Sequence, residues 1–245
     1  MTERPRLIIG VALALSAVVL LAFLGYAMSS STVPWSASGV PVEASATPVV
    51  SMSPTRPGVA AALRKTVTVP RSGSGKFVVA RGTSAAAGAG ILHRYQVAVE
   101  VGAQLDEADF AAAVEQTMAD PRGWTARGRW RFQRVGPGQP HDFVVKLATP
   151  ATVDRICGAA GIRTSGEVSC RAGADVVINL RRWLLAIPAY ANTQRDYQHL
   201  VVNHEVGHFL GFGHVGCPGK GRPAPAMMPQ YFGLDGCTPN AWPFP

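Results

Sequence analysis

The sequence predicts an exported α+β domain with a small mixed sheet, carried behind one membrane-spanning helix. Three observations point there. Residues 7–28, LIIGVALALSAVVLLAFLGYAM, hold no charge, and at about 1.5 Å of rise per residue a helix of that length crosses a hydrocarbon core of roughly 30 Å. Residues 72–245 open with short strand patterns around one early helix and end in a helical, loop-rich part, the order expected of an α+β domain rather than of repeated βα units. Four cysteines, Cys157, Cys170, Cys217 and Cys237, all fall in that second region.

The N-terminal elements come first. Arg4 and Arg6 precede the apolar run and the next charge after it is Glu43, so the basic-residue bias holds the N-terminus in the cytoplasm and sends the remainder outside. The run exceeds the 7–15 apolar residues of a cleavable signal. A signal anchor spanning the membrane once is therefore expected, in a protein of the cell membrane with an extracytoplasmic C-terminal domain; small residues at 27–31 leave cleavage and secretion as the alternative. Residues 29–71 contain 19 Ser, Thr or Pro in 43 and show no sustained periodicity, which describes a solvated spacer. Residues 72–245 then suffice for one domain. Of the formal charge of +8, half lies in the first 71 residues, and a domain charge of +4 argues against nucleic acid as a partner. A monomer is expected. An even number of cysteines in an oxidising compartment implies two disulfides. Among the three possible connectivities the sequential one, Cys157 with Cys170 and Cys217 with Cys237, closes the shortest loops and is the expected one. No CxxC pair is present, so a thiolate zinc site has no support.

Within the domain, residues 76–81 and 93–101 read as strands, the second alternating Tyr95, Val97, Val99 and Val101. Residues 106–119 read as a helix with acidic residues in its first turn and Phe110, Val114 and Met118 four apart on one face. Strands follow at 129–135 and 142–148, joined through a PGQP turn, and at 175–180. Arg129 and Arg131 share one face of their strand and read as solvated; as the lining of a substrate cleft they are a second possibility.

Residues 204–214 read HEVGHFLGFGH. On a helix, His204 and His208 lie one turn apart and about 40° around the axis, so both imidazoles reach one metal ion. Glu205 sits about 100° from His204, beside that ion without being a ligand. Gly211 can take a positive φ and end the helix, letting His214 swing round as a third nitrogen. Three imidazoles with an open fourth position describe a catalytic zinc site holding one ion. From the chain's own composition the full pattern arises by chance in about one such chain in a hundred thousand, so it is not read as accident. Tyr197, Leu200, Val201 and Gly207 share the face of the two histidines, while Val202, Val206 and Phe209 lie opposite; a helix apolar on both sides is expected inside the domain.

These residues carry a resemblance. HEVGHFLGFGH resembles the zinc signature of the metzincin metalloproteases, and PAPAMMPQ at 223–230 resembles their Met-turn. From about residue 74 to the end, including VVINLRRWLLAIPAY, VVNHEVGHFLGFGHVGCPG and GCTPNAWPFP, the chain is similar to an uncharacterised family of exported actinobacterial metzincin-like domains. The resemblance implies a metzincin-like zincin domain: a sheet with a backing helix, an active-site helix, and a C-terminal part entered through the Gly turn. It implies His204, His208 and His214 as metal ligands, Glu205 as general base, Gly211 as the turn glycine and Met227 as the Met-turn methionine, with the adjacent Met228 as second choice. Some metzincins place a Tyr two residues after that Met, where this chain has Pro229; Tyr231 either takes over that role or packs. His93, His141 and His199 match no position of the pattern.

The expected function is a zinc-dependent endopeptidase acting on peptide or protein substrates outside the cell, with Glu205 taking the proton from a zinc-bound water. Two rivals use the same residues. One is a non-catalytic zinc-containing binding module at the cell surface, and the other is a peptidase directed at cell-wall peptides. With 174 residues after the spacer, substrate choice is expected to come from the cleft itself or from attachment to the membrane.

Overall fold

A computed structural model of the chain describes residues 67–245. The expected membrane segment at 7–28, and the spacer up to residue 66, lie outside the described residues. Among the described residues no helix is long and apolar enough to cross a membrane.

The fold is mixed α+β on a mixed sheet, as expected. In chain order the elements are β1 (Phe77–Val79), β2 (Ala87–Gly88), β3 (Ile91–Glu100), α1 (Glu107–Ala119), β4 (Trp130–Arg134), β5 (Phe143–Ala148), α2 (Pro150–Ala159), β6 (Cys170–Ala172), β7 (Asp175–Asn179), α3 (Leu180–Leu185) and α4 (Gln194–Phe209). The sheet runs β2-β4-β3-β5-β7-β6, with β1 paired to the second half of β3. Strands β4, β3, β5 and β7 are parallel, and β2 and β6 join antiparallel at the two ends.

Register explains the two faces. Tyr95, Val97 and Val99 stand beside Phe143, Val145 and Leu147, and the last two of these stand beside Val176 and Ile178. With a side-chain period of two, all of them point to one side, where they form the main core with residues of α1 and α4. Phe110, Val114 and Met118 of α1 are buried in it, and Asp106 caps the helix by accepting from the Ala108 and Asp109 N–H groups at 2.8 and 3.1 Å. Helix α4 contributes Tyr197, Leu200, Val201, Val202 and Val206 to the same core, and packs between the β7–β6 end of the sheet and α1. That is the sandwiched position its two apolar faces predict. The opposite side of the sheet is covered by α2, where Val153 and Cys157 meet Ala148, Cys170 and Val177.

Two disulfides brace this frame, Cys157–Cys170 and Cys217–Cys237, the expected pairing. Both are consistent with an extracellular domain. A buried carboxylate supplies a third brace. Glu100, at the end of β3, accepts from Gly75 N (2.7 Å), Thr149 N and Oγ1 (both 2.8 Å) and Thr152 Oγ1 (2.6 Å), fastening the entering chain to the start of α2. Burial pushes its carboxyl up, but these hydrogen bonds together outweigh burial and hold it below the ordinary value. Domain contacts reach back to Val69, which packs on the main core, and to Arg71, whose carbonyl accepts from Ala151 N at 2.9 Å.

Candidate metal centre

Helix α4 ends where a three-histidine cluster needs it to end. Gly211 follows the last helical residues with φ +94°, a conformation glycine adopts without Cβ strain. The Gly211 N–H bonds to the His208 carbonyl at 3.2 Å and the Phe212 N–H to the Gly207 carbonyl at 2.9 Å, the paired bonds of a Schellman cap. The chain then reverses and returns His214 toward α4.

His204, His208 and His214 converge so that each Nε2 faces the other two, at 3.1, 3.1 and 3.2 Å. Two of the rings are oriented by backbone carbonyls. His204 Nδ1 donates to the Ala226 carbonyl and His208 Nδ1 to the Phe212 carbonyl, both at 2.8 Å. A carbonyl only accepts, so Nδ1 carries the proton in both and Nε2 presents a lone pair. Lone pairs facing at such distances repel unless a cation lies among them. An ion with bonds of about 2.0–2.1 Å to three nitrogens in a tetrahedral set needs them on the order of 3.3 Å apart, so the donor set fits a zinc-like ion. Burial, the largest influence, lowers the His204 imidazole to about 4 and also lowers that of His208, which favours the neutral, ligating form.

Glu205 projects from the same helix turn. It is 6 % exposed, and its Oε2 has no hydrogen-bond partner among the described residues. Burial raises its carboxyl to about 8, with Arg171 acting in the opposite sense. A positive charge at the triad would return it to the carboxylate. Met227 lies against Gly207 of α4, where a Cβ would collide with Met227 Sδ and come within 2.7 Å of Trp124 Cζ2. Met228 packs in a smaller cluster with Ala224 and Cys237. Tyr231 packs: its hydroxyl donates to Glu167 Oε2 at 3.4 Å, and the Arg182 guanidinium lies 4.9 Å from the centre of its ring. The Cys217–Cys237 bridge ties the loop after His214 to the segment after the two methionines.

The three histidines and Glu205 open into a cleft of about 510 Å³, whose walls include Tyr197, Leu200 and Val201 of α4, Met228 to Phe232, and Cys170 and Arg171 of β6. The alternative of Arg129 and Arg131 as a cleft wall is corrected here: β4 lies toward the other end of the sheet from β6, and neither arginine reaches the cleft. What the sequence reading missed is β6, which takes that place at the rim. The remaining histidines serve elsewhere. His199 is buried with its Nδ1 2.9 Å from Thr117 Oγ1, His93 packs edge-on to Phe209, and His141 is exposed.

The fold and site define a disulfide-braced α+β domain carrying a three-histidine cluster able to hold a metal ion at the floor of a cleft. The chain belongs to the family described as "Protein of unknown function (DUF3152)", which matches residues 63–238. No curated protein and no solved structure matches the chain.

Proposed function

We propose that the protein is a zinc-dependent endopeptidase of the metzincin type, held at or released from the outer face of the cell membrane and acting on peptide or protein substrates there. One observation carries the reading. Three inward-facing imidazole nitrogens 3.1–3.2 Å apart stand beside a buried carboxylate oxygen with no partner among the described residues, in an open cleft.

His204, His208 and His214 would hold the ion, which when bound supplies Lewis acidity, polarising a carbonyl and bringing the pKa of a water toward about 7. The chain's own groups do the rest. Glu205 is the only carboxylate among the described residues that line the cleft; it takes the proton from the attacking water and returns it to the departing amine. Its burial keeps bulk water from competing for that proton. The carbonyls of Ala226 and Phe212 fix the ring planes of His204 and His208, so the site needs little reorganisation as charge develops. Strand β6 ends the sheet beside the cleft, and an extended peptide can add to such an edge.

The test compares the full chain with Glu205→Ala, both in detergent micelles. Wild type is expected to bind one zinc and cleave members of a mixed peptide library. The variant is expected to keep its zinc and lose on the order of 10²-fold or more in rate. A zinc-loaded wild type that cleaves no faster than the variant sinks the peptidase reading in favour of a binding module.

A further inference from the structure

The cleft carries a charge asymmetry that the triad does not need. In the β6–β7 pair, Cys170 stands opposite Val177 and Arg171 opposite Val176. Val177 belongs to the face covered by α2, and Val176 to the face covered by α4. Opposed residues of an antiparallel pair share a face, so the Cys170 side chain turns to its disulfide with α2 while Arg171 projects over α4 and the three histidines. Because β6 ends the sheet, Arg171 is also exposed. Its guanidinium makes one weak hydrogen bond, to the Gly173 carbonyl at 3.4 Å, and no ion pair among the described residues. Arg163, from the loop between α2 and β6, lines the same cleft, is exposed, and is likewise without an ion pair among the described residues.

Among the described residues no acidic group balances these two: Glu205 is the one carboxylate of those residues in the lining, and it is buried. Glu167, which Tyr231 touches from behind, is already engaged by Arg181 and Arg182. Arg171 lines the same cleft as Glu205 and His208. Two guanidiniums that line an otherwise largely apolar cleft and have no ion pair among the described residues make a receptor for a carboxylate, which a planar guanidinium grips through two parallel hydrogen bonds.

Resting on the peptidase reading, we propose that the cleft selects anionic peptides, with Arg171 and Arg163 reading a substrate carboxylate next to the cleaved bond. That carboxylate comes from an Asp or Glu side chain or from a free C-terminus; the recognition chemistry is the same.

The experiment uses the zinc-loaded full chain in detergent micelles and matched peptides, located by library cleavage, that differ only by Glu against Gln. A third peptide has Gln and a free C-terminus in place of an amide. An exposed charge pair of about 1 kcal/mol predicts that kcat/KM for the Glu peptide exceeds that for its Gln twin by about fivefold. The ratio falls toward one in Arg171→Gln and at high salt, survives in Arg171→Lys, and inverts in Arg171→Glu. A preference for the free C-terminus over the Glu side chain assigns the second source. Because both substrates are read on one sample, the ratio does not depend on how much of a variant is folded. Equal rates for the twins in wild type, or a ratio that neither Arg171→Gln nor Arg163→Gln moves, overturns the proposal. If wild type cleaves nothing, the peptidase reading fails, and a Glu/Gln peptide pair of fixed sequence, chosen without reference to cleavage, is measured by equilibrium binding. Tighter binding of the Glu peptide that Arg171→Gln abolishes then upholds carboxylate recognition, and equal or absent binding ends it.

Discussion

Gly207 sits between the two histidines of α4, and replacing it with alanine sets two effects of opposite sign against each other. In an unobstructed helix Gly→Ala gains about 1 kcal/mol. Here the added methyl meets Met227 Sδ and, at 2.7 Å, Trp124 Cζ2. Met227 has rotatable bonds and yields. Trp124 does not: its indole N–H donates to the Asn203 carbonyl at 2.9 Å, and its ring stacks on Phe212 with centroids 4.7 Å apart. Overpacking a filled core costs about 1–3 kcal/mol, so after the helix gain is subtracted the net expectation runs from about zero to a loss of about 2 kcal/mol. The displaced helix carries His204 and His208 with it, so zinc affinity falls as well. Urea unfolding followed by tryptophan fluorescence measures the first effect and zinc titration the second. Met227→Ala alone should cost about 2–4 kcal/mol through the cavity it leaves. The double variant should cost less than the sum by about 1 kcal/mol, because the new methyl fills part of that cavity. A Gly207→Ala protein more stable than wild type, or strictly additive costs, refutes the packing argument.

The two structural braces make further tests. Glu100→Gln places an amide NH₂ where the carboxylate accepts from Thr149 N and Oγ1, and should cost about 2–3 kcal/mol at neutral pH. Because folding holds the Glu100 carboxyl below its ordinary value of 4.5, its stabilisation is complete above that value and disappears as pH falls through the lower folded one; wild type and variant should therefore converge in acid unfolding below about pH 4. A difference that stays constant down to pH 2 would count against the ionised form as the stabilising one. Replacing Cys217 and Cys237 by serine opens a loop of sequence separation 20, for which chain entropy predicts a loss of about 3 kcal/mol. Zinc affinity should weaken with it, since that bridge tethers the loop after His214; thermal unfolding and zinc titration of the double serine variant check both.

How much was legible depended on whether the information was local. Periodic segments were readable because burial on one side imposes its period on the sequence: the alternation at Tyr95, Val97 and Val99 and the four-residue spacing of Phe110, Val114 and Met118 each marked a face that is now in the core. The three histidines were readable because helix geometry and a glycine cap convert spacing directly into convergence. Helix α2 was overlooked although its signals were present: Thr149 and Pro150 open it, as an N-cap and a first-turn proline do, and Gly161 with φ +78° follows it. Strand β6 offered no such signal. Three residues cannot show a period, and only pairing with β7 makes them a strand.

The same distinction governs the electrostatics. A domain charge of +4 spread over 174 residues says little, and it argued only against nucleic acid. What matters chemically is which charges lack a partner and where they stand. Arg134 and Glu115 pair with each other, Lys146 pairs with Asp175, and Arg181 and Arg182 pair with Glu167. Arg163 and Arg171 have no such partner among the described residues, and both stand at the cleft. No count along the chain separates these two arginines from the others. The β6–β7 register does so for Arg171, because shifting the pairing by one residue would turn its side chain to the α2 face and leave Cys170 unable to reach Cys157. The Cys157–Cys170 disulfide on one face of the sheet therefore holds the register that keeps Arg171 over the histidines on the other.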